Sequence, residues 1–185
     1  MRTGAPYKAR SSRVLLIHPR LTVAEDLLEL PDGQEGDYLW FVGGRDAVTV
    51  IPRDPAGKIL VEREYSYLPN QPLYQFPGGG MEDGEAPAAA ANRELMEELN
   101  QHAGRLILLG QYLMDHRRSH AKMFVFLGEE LTERQSTTRD KYEVDLQASW
   151  LTETEIEALI SGGRVINAAM LASWALYKNR LDRAA

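Results

Sequence analysis

The alternation of apolar and polar positions predicts a small β-sheet at the start of the chain. Three short β-type runs, RVLLIH, LTVAE and DYLWFV, lie within residues 13–44, and the turn-rich segment 31–36 separates the last two. A three-stranded sheet has little core of its own, so it should pack on the rest of the chain or pair with a second subunit. We therefore expect a small N-terminal β domain over residues 1–44 and a homodimer.

From residue 45 to residue 185 the pattern predicts a larger domain that combines strands and helices. The runs AVTVIP and ILVERE flank the turn at 54–57, which is typical of a β-hairpin, and RLILLGQYL and KMFVFL predict two more strands. The clearest helix spans 86–99, with Asn100 as its left-handed end, and two further helices are expected at about 153–160 and 167–178. Strands on both sides of a helix indicate an α/β or α+β fold.

Composition narrows the classes of function. The chain has 185 residues with 21 Lys and Arg, 27 Asp and Glu, a net charge of −6 and no Cys. This charge argues against a nucleic-acid scaffold. Because no apolar run is long enough to span a membrane and the first residues lack a signal-peptide core, we expect a cytoplasmic protein without a membrane partner. The lack of Cys excludes thiolate zinc sites and thiol nucleophiles, which leaves carboxylates, other polar groups or a hard metal ion.

Acidic residues concentrate around the glycine-rich start of the clearest helix. Residues 78–100 read GGGMEDGEAPAAAANRELMEELN. Glu94, Glu97 and Glu98 have the spacing i, i+3 and i+4, so one helix face would carry all three carboxylates. Their repulsion would be relieved by Arg93 or by a divalent cation, and ligands that are all oxygen favour magnesium or manganese over zinc. The alternative is a solvated helix face behind an ordinary loop.

The spacing within this segment resembles the Nudix box, the signature of the Nudix hydrolases. The matching positions are Gly79, Glu85, Arg93, Glu94, Glu97 and Glu98, with Leu95 as the aliphatic residue. The box usually ends in Gly and an aliphatic residue, where this chain has Asn100 and Gln101, but neither change touches a carboxylate. The resemblance implies a Nudix fold, an α+β sandwich with a mixed β-sheet between helices, preceded by a small antiparallel sheet.

The resemblance also implies a chemistry. Nudix hydrolases cleave a nucleoside diphosphate linked to another group, with magnesium or manganese as the cofactor. Glu94 and Glu98 would be the main metal ligands, with Glu97 and the carbonyl of Gly78 as further ligands. A charge-assisted contact would hold the loop and the helix in register and orient these ligands. Its two partners would be Glu85 and Arg93.

Most of the chain is similar to the ADP-ribose pyrophosphatase branch of this family. In that branch the first strands form a small domain exchanged across a homodimer, and the substrate is a nucleoside diphosphate sugar cleaved to AMP and a sugar phosphate. Two departures concern the substrate. Ser66 stands between two tyrosines where the branch usually has Arg, and LMDHRRSHAK replaces a Ser-Pro-Gly turn. The basic cluster that includes Arg117 and Arg118 would grip a terminal phosphate or a differently shaped second half of the substrate, or form a solvated loop.

The branch also uses a Glu on a late loop as general base or additional metal ligand. Glu143 is the candidate here, and Asp140 and Asp145 are rivals because one sequence cannot align loop lengths. Any one of the three is equally well an exposed loop acid. Trp40 and Tyr65 are candidate aromatic contacts for the substrate, although most aromatic residues of this kind belong to the core.

Two other functions stay open at this point. One is hydrolysis of another nucleoside diphosphate derivative, such as a GDP-sugar. The other is a non-catalytic Nudix module that binds a nucleotide, which the intact Glu94, Glu97 and Glu98 disfavour, because such a module has no need of a repulsive cluster. RNA decapping suits the fold, but the net charge of −6 disfavours a polyanionic partner.

Overall fold

The computed structural model describes residues 6–135 and 145–184, and side chains as far as residue 180. The strands and helices within these ranges are β1 (Lys8–His18), β2 (Leu21–Glu29), β3 (Glu35–Val42), β4 (Ala47–Pro52), β5 (Ile59–Ser66), β6 (Gln71–Gln75), β7 (Gly78–Gly80), α1 (Pro87–Leu99), β8 (Gln101–Leu113), β9 (Lys122–Glu133), β10 (Gln147–Leu151), α2 (Glu153–Ser161) and α3 (Ala168–Ala184). None of the helices in these ranges is long and apolar enough to cross a membrane.

The chain divides into two compact units, of which unit 1 comprises Met1–Arg45 and Leu113–Ala121. Its strands form an antiparallel sheet in the order β1-β2-β3. The later segment belongs to this unit because it binds β3: the carbonyl of Arg118 accepts a hydrogen bond from the backbone N–H of Phe41, and the carbonyl of Arg117 accepts one from the hydroxyl of Tyr38. The sequence pattern alone places this segment in the larger domain, residues 45–185.

Unit 2 comprises Asp46–Tyr112 and Lys122–Ala185 and contains two sheets. One is mixed, with the order β7-β4-β9-β8, and in it β4 runs parallel to β9 and antiparallel to β7. Strand β4 is buried along its whole length, and its side chains alternate between two cores. Val48 and Val50 pack with Ala91 and Leu95 of α1, whereas Ile51 joins a cluster that includes residues of α2 and α3. The expected mixed sheet between helices is confirmed.

The second sheet of unit 2 is antiparallel, with the order β10-β5-β6, and its position contradicts one expectation. The turn after β4 forms as predicted, since the carbonyl of Asp54 accepts a hydrogen bond from the N–H of Gly57. However, β4 and β5 share only the isolated bridge between Arg53 and Ile59 and then enter different sheets. The hairpin prediction is wrong because β7 and β9 occupy both edges of β4, while β6 and β10 occupy both edges of β5.

The ends of the helices follow local chemistry. Pro87 opens α1, where a missing N–H costs nothing, and Asn100 ends it in the left-handed conformation with φ 53° and ψ 35°, as the sequence predicts. Helix α2 begins with a capping box: the side chain of Thr152 accepts from the N–H of Glu155, and the carboxylate of Glu155 accepts from the N–H of Thr152. Helix α1 thus ends directly before β8, and α2 begins directly after β10.

Candidate active site

The site is built around the short glycine strand β7. Thr49 of β4 pairs with Gly78, which has a φ of 156°. A Cβ added at Gly78 would lie 2.1 Å from the carbonyl oxygen of Val48, and one added at Gly79 would lie 2.5 Å from a carboxylate oxygen of Glu94. A Cβ at Gly78 would therefore clash with the backbone of β4, and a Cβ at Gly79 would displace the carboxylate of Glu94.

Helix α1 presents its acidic face to this strand. Glu94 and Glu98 are 8% and 6% exposed, although both are charged side chains, whereas Glu97 is only half-buried. The Oε2 atom of Glu98 accepts a hydrogen bond of 2.7 Å from the N–H of Gly78, which ties the end of the helix to the strand. Two of the three carboxylates are thus buried next to the glycine backbone.

The guanidinium of Arg93 joins the acidic residues of this site. Its Nε and Nη2 atoms each donate to one carboxylate oxygen of Glu85, both at 2.9 Å, which is a bidentate ion pair. Its Nη1 atom lies 2.8 Å from an oxygen of Glu94 and 3.1 Å from an oxygen of Glu97. A fifth bond, from Nη2 to the carbonyl of Gly80 at 3.0 Å, attaches the same guanidinium to β7. One cation therefore compensates three carboxylates and links the loop, the strand and the helix.

The pKa values of the carboxylates differ with their surroundings. Hydrogen bonds from Arg93 lower the pKa of Glu85, against a smaller opposing effect of burial. Burial raises the pKa of Glu94, and the contacts with Arg93 offset this only in part. The pKa of Arg93 is raised mainly by its hydrogen bonds with Glu85, so its charge persists throughout the working pH range. Glu94 is consequently a poorly solvated carboxylate that gains from additional positive charge.

The donor atoms suit a hard divalent cation. Glu94, Glu97, Glu98 and the backbone of β7 supply oxygen only, which is the preference of magnesium and manganese. Within residues 6–135 and 145–184, no three His, Asp or Glu side chains form a ready metal-binding group. Arg93 instead contacts two of the three carboxylates at this face.

The other candidate residues belong to other strands and segments of the chain. Trp40 is a half-buried residue of β3, and Arg117 and Arg118 are exposed in the later segment of unit 1. Tyr65 of β5 is 43% exposed, and its hydroxyl donates to the side chain of Asn70.

Of the three candidates for the late-loop base, the structure describes one. Glu143 and Asp140 lie outside the described residues. The third candidate, Asp145, uses its Oδ1 atom to accept a hydrogen bond of 3.2 Å from the backbone N–H of Tyr65. Asp145 therefore has a local role in joining the start of the β10 segment to the end of β5.

Sequence reasoning missed one polar residue that holds the helix. The side-chain amide of Asn92 bonds both backbone groups of Ala103 in β8, accepting from its N–H at 2.9 Å and donating to its carbonyl at 3.2 Å. Asn92 precedes Arg93, so this amide fixes the segment of α1 that carries the guanidinium. The available signal was an Asn within an Ala-rich helix, where its propensity is low.

Several known proteins are similar to this chain in sequence. Sequence relatives include an ADP-ribose pyrophosphatase of Bacillus subtilis (strain 168), which is 30% identical over 118 residues, 64% of this chain and 61% of the relative. An RNA pyrophosphohydrolase of Bartonella bacilliformis is 28% identical over 123 residues, 56% of this chain and 72% of the relative. Another, from Pseudomonas aeruginosa, is 40% identical over 67 residues, 36% of this chain and 40% of the relative. The chain spans less than two thirds of the length of two of these three relatives.

A solved structure described as an ADP compounds hydrolase superimposes with a TM-score of 0.88 over 97% of this chain and 96% of that chain. The two sequences are 20% identical, so this likeness shows a shared fold. The model of the NUDIX domain matches residues 43–172, a range that includes the glycine strand, Arg93 and every carboxylate bound to it. Because this match covers more than half of the chain and the fold agrees with it, the chain belongs to the Nudix hydrolase family.

Proposed function

We propose that this chain hydrolyses the diphosphate bond of a nucleoside diphosphate sugar of the ADP-ribose type, giving AMP and a sugar phosphate. The observation that carries the proposal is the burial of Glu94 and Glu98 against β7, where Glu94 pairs with Arg93 and Glu98 accepts a hydrogen bond from the N–H of Gly78. Buried carboxylates are costly unless an ion pair, a hydrogen bond or a bound cation compensates them, so a further cation at this face would be stabilising. The relative named ADP-ribose pyrophosphatase and the neighbour described as an ADP compounds hydrolase support this class of substrate.

In this proposal the residues of the box have two roles. Glu94, Glu97, Glu98 and the carbonyl of Gly78 would hold magnesium or manganese. When bound, the ion would neutralise charge on the diphosphate and make a water more nucleophilic. Glu85 and Arg93 position these ligands, because their bidentate pair and the bond to the Gly80 carbonyl fix the loop against α1.

Substrate contacts form a second part of the proposal. The exposed residues Arg117 and Arg118 would bind phosphate, since their segment is bonded to β3 through backbone carbonyls and not through the guanidinium groups. The rings of Trp40 and Tyr65 would stack on flat groups of the substrate. Glu143 would accept the proton of the attacking water as general base.

A homodimer that exchanges the N-terminal domain, residues 1–44, is also proposed. Its support is the apolar surface of the three-stranded sheet, which a monomer would leave in water. The exposed apolar side chains on these strands are Val14, Leu15, Leu16, Ile17, Leu21, Tyr38, Leu39 and Val42. Light scattering coupled to size exclusion should give twice the chain mass, and a monomer at micromolar concentration would contradict the proposal.

The cytoplasmic location stays a prediction that cell fractionation would check.

The activity can be tested with a panel of ADP-ribose, other nucleoside diphosphate sugars, nucleoside triphosphates and a 5′-triphosphate RNA, each with magnesium and a coupled phosphatase. We expect release of AMP from ADP-ribose, and chelation by EDTA should abolish it. Preference for a GDP-sugar or for RNA would change the substrate class but not the chemistry. Tight nucleotide binding without turnover would favour the non-catalytic module.

The metal ligands can be tested by changing Glu98 to Gln, which keeps the side-chain shape and removes the charge. We expect turnover to fall by at least about 100-fold with the fold intact, because a charged ligand is lost. Glu157→Gln is a matched control, since Glu157 is 51% exposed and pairs with Lys178 away from the box. Wild-type rates in the Glu98 variant would show that the ligand assignment is wrong.

A further inference from the structure

Unit 2 has a cleft that is separate from the glycine strand and the acidic face of α1. It lies between one face of the β10-β5-β6 sheet and α2, and it has a volume of about 680 Å³. A neighbouring cavity of about 220 Å³ shares three lining residues with it, Arg63, Tyr74 and Arg164, so the two adjoin each other. No residue of the segment 78–98 lines either cavity.

The sheet register places several of these residues on one face. Arg63 of β5 pairs with Tyr74 of β6 on one side and with Gln147 of β10 on the other. Val61, two residues earlier, points to the same face and adds an apolar wall. The carboxylate of Glu64, which bonds Gln75, belongs to the opposite face by the same alternation. The strand side chains that line the cleft therefore lie on one face of the sheet, and Glu64 lies on the opposite face.

Local backbone structure holds Arg164 over this face. Helix α2 ends in a Schellman motif, in which Gly163 adopts φ 69° and donates to the carbonyl of Ile160, while the N–H of Arg164 donates to the carbonyl of Leu159. Three residues later, Asn167 donates from its side chain to the carbonyl of Tyr74. The turn that carries Arg164 is thus attached both to α2 and to the strand that carries Tyr74.

The charge in the cleft favours an anion. Within the part of the chain that the structure describes, neither Arg63 nor Arg164 forms an ion pair or a side-chain hydrogen bond. The acid that lines the cleft is Glu155, and its carboxylate already accepts bonds from the N–H and the hydroxyl of Thr152, at 2.7 and 2.8 Å. Two planar guanidinium groups with free donors match the oxygens of a phosphate group.

We propose that this cleft binds a phosphomonoester that carries a flat ring system, such as a nucleoside monophosphate. The phosphate contacts Arg63 and Arg164. The ring system lies against Tyr74 and the aliphatic side chain of Leu159. A volume of about 680 Å³ is far larger than a bare phosphate requires and falls within the range of small-molecule sites, which explains the apolar part of the lining.

The test is a titration of the full chain, free of metal in EDTA, with AMP, adenosine, ribose 5-phosphate and inorganic phosphate, followed by amide NMR. AMP should give saturable shifts at Gly163, Arg164 and Gln147. Adenosine, ribose 5-phosphate and inorganic phosphate should each bind at least about tenfold more weakly, because each lacks one part of the recognised group. The double variant Arg63→Gln, Arg164→Gln should lose at least about tenfold in AMP affinity.

Arg105→Gln is the matched control, because Arg105 is 60% exposed on β8 and lies outside the cleft. If the double variant does not fold, Arg164→Gln alone serves, since Arg164 is exposed at a turn. Shifts confined to residues 78–98, unchanged affinity in the variants, or phosphate binding as tightly as AMP would each overturn the proposal. The binding is measured without metal or turnover, so its failure leaves the proposed hydrolase activity standing.

Discussion

Replacing Arg93 by Gln should destabilise the folded chain, because three carboxylates depend on its guanidinium. The change removes four contacts with carboxylate oxygens between 2.8 and 3.1 Å, two of them to Glu85 and one each to Glu94 and Glu97, and a fifth bond to the carbonyl of Gly80 at 3.0 Å. Loss of one partner of a buried ion pair costs about 3–5 kcal/mol. Since the side chain of Arg93 is 23% exposed, water compensates part of this cost and we expect about 3 kcal/mol, the lower end of that range.

The assay is urea unfolding at neutral pH without metal, with free energies of unfolding obtained by linear extrapolation. Arg105→Gln is again the control, because Arg105 is 60% exposed and lies 3.5 Å from Glu129. Exposed pairs of this kind contribute roughly 0–1 kcal/mol, so this variant should stay close to wild type. A loss below about 1 kcal/mol in the Arg93 variant would refute the central role of its guanidinium in the site.

The same comparison has a defined dependence on pH. Arg93 lowers the pKa of Glu85 below 4.5, so the stabilisation from this pair is complete above 4.5 and is lost as the pH falls through the lowered value. The gap between wild type and the Arg93 variant should therefore narrow in acid. A gap that is as large well below pH 4.5 as at neutral pH would show that the loss comes from packing and not from charge.

Three further outcomes are expected. Gly79→Ala should lower the rate of hydrolysis, because the added Cβ would lie 2.5 Å from the carboxylate of Glu94. Gly80→Ala should retain the rate, because the space around its Cβ is open. Equal rates in the two variants would contradict this prediction. For Glu153, burial raises the pKa, but the bonds from Lys178 and Tyr177 outweigh this effect and lower it, so Glu153→Gln should reduce Tm at neutral pH more than in acid below 4.5. Asn92→Leu should speed hydrogen exchange at the backbone N–H of Ala103, and unchanged exchange would show that its side-chain acceptor contributes nothing.

Local signals in the sequence predict most of the helices and several strands. The clearest case is α1, where Pro87, the Ala-rich start and Asn100 give bounds within one residue of those observed. The spacing of the carboxylates also predicts which helix face is polar. It does not predict that Glu94 and Glu98 are buried while Glu97 stays half-exposed, since this difference depends on how closely β7 approaches the helix.

The sequence does not predict how strands that are far apart in the chain pair with each other. The turn at 54–57 is correctly located, yet its two flanking strands separate, because their partners come from residues far away in the chain. Likewise, nothing in the pattern of Arg117 and Arg118 indicates that their carbonyls bind β3. At the end of α2, Gly162 and Gly163 predict where the helix stops. They do not predict which face of the sheet Arg164 covers.

The parallel pairing of β4 with β9 has a consequence for how the molecule acquires its shape. Ala47 lies opposite Met123 and Pro52 opposite Gly128, so the central strand of the mixed sheet gains this neighbour only after α1 and β8 have been synthesised. Closing such a long loop is entropically costly, and parallel pairings between distant segments slow folding. On the ribosome, the acidic helix α1 is therefore synthesised before β9, the strand that completes its supporting sheet. Until β9 emerges, the carboxylates of α1 have no complete sheet behind them.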